Sequence, residues 1–331
     1  MGKISRLVPL WIKEPLVVFL QEAGKIPLDL AIGHMHRNAM DICAAGSEKQ
    51  QRVHAALQEK TYRYLKKKYK PLALELAENF SIGEKPEKPV IWMLWWNGEE
   101  NAPDTIRRCI ASIRANAGDI PVRVIDHRSF RDYVDVPAHL LERLENKTIS
   151  FTHFSDYYRM ALLARHGGLW LDASIFMKRF SKEQVFDQPF FTVRNPGVDQ
   201  MNVSRWEWTV SVMGGWKGNT LFGAVSALLA QYWKDHQGLV DYYLFDYMIR
   251  LLHDHCKELR DMIAAVAPNN EDYYYFQQAF NQPLDEQAYA RQKKSDTWLY
   301  KLTWKREYAR MTTDGKRTVY DQWLKETDAG L

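Results

Sequence analysis

Asp156, Arg159 and Asp172 are the residues of this sequence best placed to do chemistry. They stand in the stretch Phe154-Ser-Asp-Tyr-Tyr-Arg-Met-Ala-Leu-Leu-Ala-Arg-His-Gly-Gly-Leu-Trp-Leu-Asp-Ala-Ser174. Asp156 and Arg159 are three apart on a helix and share a face with Met160 and Leu163. A carboxylate and a guanidinium on an otherwise apolar stripe either form an internal ion pair that fixes the helix or point together into a cleft. Asp172 ends an apolar strand just after a Gly-Gly turn, at the edge where α/β sheets open their ligand-binding crevice. Packing explains a carboxylate there poorly, because it needs a cation, a hydroxyl or a peptide N–H as partner. Function is the better account of Asp172. For Asp156 and Arg159, spacing alone leaves both readings open.

These residues need elements to hold them. Residues 90–96 are a continuous apolar run, as expected of a strand buried on both faces, and Asn97-Gly98 breaks it. Pro103 opens a helix carrying Ile106, Cys109, Ile110 and Ile113 as far as Gly118, and residues 122–126 form a second strand. Strand, helix, strand is a βαβ unit, the start of an α/β sheet. A helix over 155–166 then ends at Gly167-Gly168 and leads into a strand over 169–172. Further strands are expected at 189–194 and 209–213. Beyond Gly218 the pattern is mostly helical (221–233, 242–253, 259–266), and from Arg306 it becomes a polar tail.

Residues 1–88 read as a helical and somewhat separate region. Charged stretches run through 47–80, including Tyr64-Leu-Lys-Lys-Lys-Tyr-Lys70, until Pro71 interrupts the pattern. That basic run is either a solvated helix face or a contact for anionic lipid headgroups. Residues 81–89, with one Gly and two Pro, form a linker. The division expected is 1–88 helical, 89–305 catalytic and 306–331 tail.

Composition removes several classes. With 331 residues, 46% hydrophobic and 26% charged, the chain is globular rather than disordered or fibrous. A net charge of +4 is too small to make nucleic acid the main partner. Cys43, Cys109 and Cys256 include no CxxC pair, which excludes a disulfide scaffold or Cys-rich zinc module and favours a reducing compartment. Twelve Trp is an unusual number; Trp stacks on bases and sugar faces, and it also fills cores. There is no GxSxG, P-loop, GxGxxG or HExxH, so hydrolase, kinase, dehydrogenase and zincin chemistry lack a motif. The apolar stretches 7–12 and 15–20 are split by Lys13 and Glu14 and are too short to span a bilayer, which places the chain in the cytoplasm. Trp11, Val17, Val18, Phe19 and Leu20, with the cations of 66–70, could instead form an interfacial anchor at the inner membrane face. The alternative is that they pack on the catalytic domain as a helical extension.

The stretch around Asp172 resembles the capsular polysaccharide synthesis proteins and the wider, family-32-like group of glycosyltransferases whose sugar-binding region carries a DXD motif. The resemblance covers roughly 89–305. It is strongest in Ile91-Trp-Met-Leu-Trp-Trp-Asn-Gly98, Ser155-Asp-Tyr-Tyr-Arg159 and Leu162-Leu-Ala-Arg-His-Gly-Gly-Leu-Trp-Leu-Asp-Ala-Ser174, and weaker in Asp241-Tyr-Tyr-Leu-Phe-Asp246 and Lys301-Leu-Thr-Trp-Lys305. It implies a GT-A fold, a Rossmann-like mixed sheet flanked by helices, extended here by the N-terminal helical region. It also implies transfer with retention from a nucleotide-sugar, a UDP-sugar by preference, to a glycan acceptor that in such systems is often lipid-linked.

By the same resemblance Trp95 stacks on the base, and Asp156, Arg159 and Trp170 serve donor binding, with Asn97 beside them. Lys301 and Lys305 either add positive charge for the donor phosphates or are plain surface lysines. Asp172, with Asp156 and Arg159, carries catalysis. Asp172 and Ser174 would hold Mn²⁺ or Mg²⁺, although Ser174 stands where the motif has its second carboxylate. Asp241 and Asp246 fall to the acceptor, with a helix cap as the alternative for Asp241. A catalytically silent protein that binds nucleotide-sugar or glycan is the competing function.

Overall fold

The computed structural model describes residues 24–196 and 202–329, with Leu16 and Leu20. Trp11, Val17, Val18 and Phe19, expected at a membrane surface, lie outside the described residues. The strands are β1 (Ile91–Leu94), β2 (Val122–Ile125), β3 (Gly168–Leu171), β4 (Ile175–Met177), β5 (Phe190–Thr192), β6 (Val212–Gly215) and β7 (Leu299–Lys301). Five of them form a mixed sheet in the order β2-β1-β3-β6-β5. β1 is parallel to both β2 and β3, while β6 runs antiparallel to β3 and β5. The expected βαβ unit is therefore present, and its helix spans Asp104–Asn116.

Side chains alternate across this sheet, as the pleat requires. Ile91, Met93, Leu169 and Leu171 enter a core shared with Ile106, Ile110 and Ile113 of the Asp104–Asn116 helix. Trp92, Trp170 and Met213 face a second core, built on helices α3 (Phe151–His166), α4 (Thr220–Asp235) and α5 (Leu244–His255). Two earlier helices, α1 (Leu28–Cys43) and α2 (Glu48–Ala77), add Leu30, Leu57, Leu65 and Tyr69 to that same core. Tyr62 and Tyr69 of α2 donate hydrogen bonds to Asp254 (2.6 Å) and Asp235 (3.1 Å). Residues 28–77 are thus packed against the body, contrary to the expected separateness. Among the described residues no helix is long and apolar enough to cross a membrane.

Four local readings change. Helix α2 runs through Pro71 to Ala77. Pro71 and Lys67, whose carbonyl loses its i+4 donor, are both exposed, so water can replace the missing bond. The strand expected at 209–213 lies instead at Val212–Gly215. A Cβ at Gly215 would come within 2.5 Å of the Pro189 carbonyl, so the glycine there is what lets β6 approach its neighbour. The polar tail carries a helix, Val319–Ala329, that buries Trp323 against Phe176 and Phe280. The stretch expected to be a linker is also tied down: Glu84 pairs with Lys217 through both backbone bonds, and Ser81 bonds Thr220.

Candidate functional site

A cleft of about 590 Å³ opens beyond the carboxyl ends of β1 and β3. Parallel strands at the centre of a sheet deliver their next residues to such a crevice. β1 supplies Trp95 and Asn97, α3 supplies Arg159, and β3 supplies Trp170 and Asp172, with Ser174 just beyond. Lys301 arrives from 129 residues further on. It does so because β7 pairs antiparallel with β4 and places Lys301 opposite Ile175, directly after the Asp172–Ser174 turn.

Ser150 caps the N-terminus of α3, its hydroxyl accepting from the His153 N–H. Gly167 and Gly168 end the helix with φ of +63° and +102°. A Cβ on Gly168 would lie 2.4 Å from the Val90 carbonyl, so only glycine lets β3 start this close to the chain leading into β1.

Asp172 sits on the cleft floor with its side chain 27% exposed. Arg159 Nη2 (3.1 Å) and Trp170 Nε1 (3.0 Å) donate to its Oδ1, and Lys301 Nζ (2.7 Å) donates to its Oδ2. Burial pushes the carboxyl pKa up, but Lys301 and Arg159 outweigh it and hold the group below the usual carboxylate range. Arg159 is fixed in turn: its guanidinium lies between the Trp170 ring (5.0 Å to the centroid) and the Phe245 ring (5.2 Å), and Nη1 donates to the Val210 carbonyl. Trp170 is fully buried, so it serves Asp172 and Arg159 and presents no open face to a ligand.

Asp156 is one layer further back than expected. It is buried 3.6 Å from Arg159, its other oxygen 3.3 Å from His153 Nδ1, and it does not line the cleft. The two readings of the pair divide between its members: Asp156 is the internal partner and Arg159 reaches the cleft. Trp95 meets Trp304 edge to face (5.7 Å), and its Nε1 is buried without a hydrogen-bond partner.

The tentative acceptor residues fall outside the cleft. Asp241 is almost fully buried and pairs with Arg37 (3.0 Å) and His34 (3.5 Å) of α1, while accepting from the Tyr243 N–H (2.9 Å). Its role is to hold α1, because Arg37 and His34 from the N-terminal region both claim the carboxylate. Asp246 is buried and accepts from Trp208 Nε1 at 2.9 Å. Burial, aided by the neighbouring Asp156 and Asp241 charges, pushes its pKa up to about 7 despite the Trp208 bond and nearby Arg159. Among the cleft residues that were missed are three aromatics: Tyr242, 62% exposed, Trp304, 46% exposed, and Tyr274. Tyr242 and Trp304 stand inside the two weaker motifs, so their position in the sequence was a usable signal.

Comparison with known proteins follows this geometry. Residues 43–323 match the family described as capsular polysaccharide synthesis protein. O-glycosyltransferase PaGT from Phomopsis amygdali is 32% identical over 124 residues, which is 34% of this chain and 30% of that protein. The match thus spans under a third of the relative's length. A solved structure described as PaToxG Glycosyltransferase superposes with a TM-score of 0.37 at 14% identity, covering 64% of this chain and 83% of that one.

Proposed function

This chain belongs to the capsular polysaccharide synthesis protein family, and from that membership we propose that it is a glycosyltransferase. In this reading it moves a sugar from a nucleoside-diphosphate sugar, a UDP-sugar by preference, to a hydroxyl of a glycan acceptor in surface polysaccharide synthesis. The relative's description as an O-glycosyltransferase supports the class of reaction. The observation that carries the reading is the cleft itself: the aromatic pair Trp95 and Trp304 lines the same cleft as a carboxylate clamped by Arg159, Trp170 and Lys301.

The chemistry requires the C1–O bond to the diphosphate to break as the acceptor oxygen bonds to C1. The bonding electrons leave with the phosphate oxygen, which also takes the acceptor proton. Fixed positive charge beside that oxygen lowers the barrier, because it needs no reorganisation at the moment of reaction. Asp172, already oriented by Arg159 and Trp170, keeps a lone pair for a sugar hydroxyl. Trp95 and Trp304 offer aromatic surface to the base. The mixed sheet supports a GT-A arrangement, and the resemblance noted above supports retention. We place the reaction at the cytoplasmic face of the membrane, where a lipid-linked acceptor would be met. The exposed Lys67 and Lys68 on α2 favour that setting.

A thermal-shift screen against UDP-, GDP- and CMP-sugars tests the reading. One nucleotide class should raise the melting temperature by mass action. A flat response to all three would remove the proposal, and binding without any turnover would return the chain to a silent binding protein.

A further inference from the structure

We infer that Lys301 does the work that a divalent cation would do, so that the donor diphosphate is bound and its leaving charge neutralised without metal. This rests on the nucleotide-sugar reading above. An ion of the Mg²⁺ or Mn²⁺ type needs about six oxygens around it and at least one carboxylate free to face it. The residues in the expected place are Asp172 and Ser174. Asp172 has Oδ1 taken by Arg159 and Trp170 and Oδ2 taken by Lys301 at 2.7 Å, two of the three partners being cations. A divalent ion at either oxygen would sit against an ammonium or a guanidinium and be repelled by it. Ser174 adds only a neutral hydroxyl, and among the described residues no three His, Cys, Asp or Glu side chains group to replace the missing carboxylate. This donor set does not fit a divalent cation.

It fits an anion. Arg159 and Lys301 together balance Asp172 and the buried Asp156, and Lys301, its side chain 21% exposed against 5% for Arg159, is the more accessible of the two in the cleft. Lys301 is no wandering surface lysine: its own N–H donates to the Tyr273 carbonyl (2.8 Å), and the next residue, Leu302, donates to Ser174 (2.9 Å). The ammonium has three donors and spends one on Asp172, which leaves two for phosphate oxygens. As the C1–O bond breaks, the electron pair stays on the diphosphate oxygen beside this ammonium, while the acceptor oxygen bonds to C1 and its proton passes to the diphosphate. Lys305, exposed on the same wall, adds charge at longer range.

Titration of UDP, GDP and CDP into the full chain, once in EDTA and once in excess MnCl₂, is the test. At least one should bind with a Kd equal in the two buffers within about twofold, and Lys301→Met should weaken it about tenfold or more while Lys301→Arg restores it. A Kd that weakens about tenfold or more in EDTA overturns the inference, as does a Lys301→Met protein that binds like wild type. Should Lys301→Met fail to fold, the two-buffer comparison on wild type decides alone. Binding that needs Mn²⁺ removes the lysine role and leaves the transferase reading standing. Binding of no nucleoside diphosphate in either buffer removes both.

Discussion

Arg37, on the first of the packed N-terminal helices, donates a 3.0 Å hydrogen bond to Asp241, 204 residues further along the chain. Asp241 directly precedes Tyr242, which lines the cleft, so the ion pair fastens the N-terminal helices next to the site wall. With only 1% of its side chain exposed, the Asp241 carboxylate depends on Arg37, His34 and the Tyr243 N–H for its charge.

Removing Arg37 should therefore cost stability and spare ligand recognition. Arg37→Ala is expected to lower the unfolding free energy by about 1–3 kcal/mol in urea titrations, since it leaves a buried carboxylate with only His34 and the Tyr243 N–H. Nucleotide affinity of the folded variant should stay within a few-fold of wild type. Burial pushes the Asp241 pKa up, but the His34 hydrogen bond and Arg37 hold it below the usual value. Its contribution is accordingly present above the unfolded pKa of about 4 and is lost as pH falls through the lower folded value.

Asp246 should act with the opposite sign. Its folded pKa is pushed up to about 7, so the native state holds a proton that the unfolded chain has released. Between about pH 4 and pH 7 this group makes stability fall as pH rises, by at most about 1.4 kcal/mol per pH unit. Asp246→Asn keeps an oxygen for Trp208 and cannot ionise. Denaturation at pH 5 and pH 8 should show the variant gaining on wild type at the higher pH. An unchanged difference would mean that Asp246 is charged throughout.

Gly168 joins fold to site. Gly168→Ala places a Cβ 2.4 Å from the Val90 carbonyl at a φ of +102°, so β3 must move or the backbone must strain. We expect a loss of about 1–3 kcal/mol in stability. Turnover should fall more than in a surface control, because Asp172 rides on the end of the same strand. Wild-type melting temperature in Gly168→Ala would contradict the packing described here.

How much of this was legible in the sequence follows from the range of each interaction. The strands at 91–94, 122–125 and 168–171 announced themselves by local apolar runs and glycine stops, and Asp172 by its place at a strand end. Arg159 was legible as half of a helical pair, but spacing could not say which member faces the cleft. That depends on His153 and on the Trp170 and Phe245 rings, which only folding brings together. Lys301 owes its position to a three-residue strand pairing with β4, a long-range event without local periodicity. Asp241 and Asp246 looked free because their partners, Arg37 and Trp208, are distant in sequence. Pro71 misled for a different reason: a solvent-facing proline can sit in a helix that tertiary packing already holds.

The central claim, sugar transfer at this cleft, is tested most directly by assaying nucleoside-diphosphate release from a nucleotide-sugar by wild type and Asp172→Asn in parallel. The substitution keeps an oxygen for Arg159 and Trp170 and removes the charge that holds Lys301. Wild type should release nucleoside diphosphate with transfer to a glycan acceptor, and Asp172→Asn should do so about 100-fold more slowly while retaining its circular dichroism spectrum. No release from any nucleotide-sugar, or an Asp172→Asn rate within a few-fold of wild type, would contradict the account.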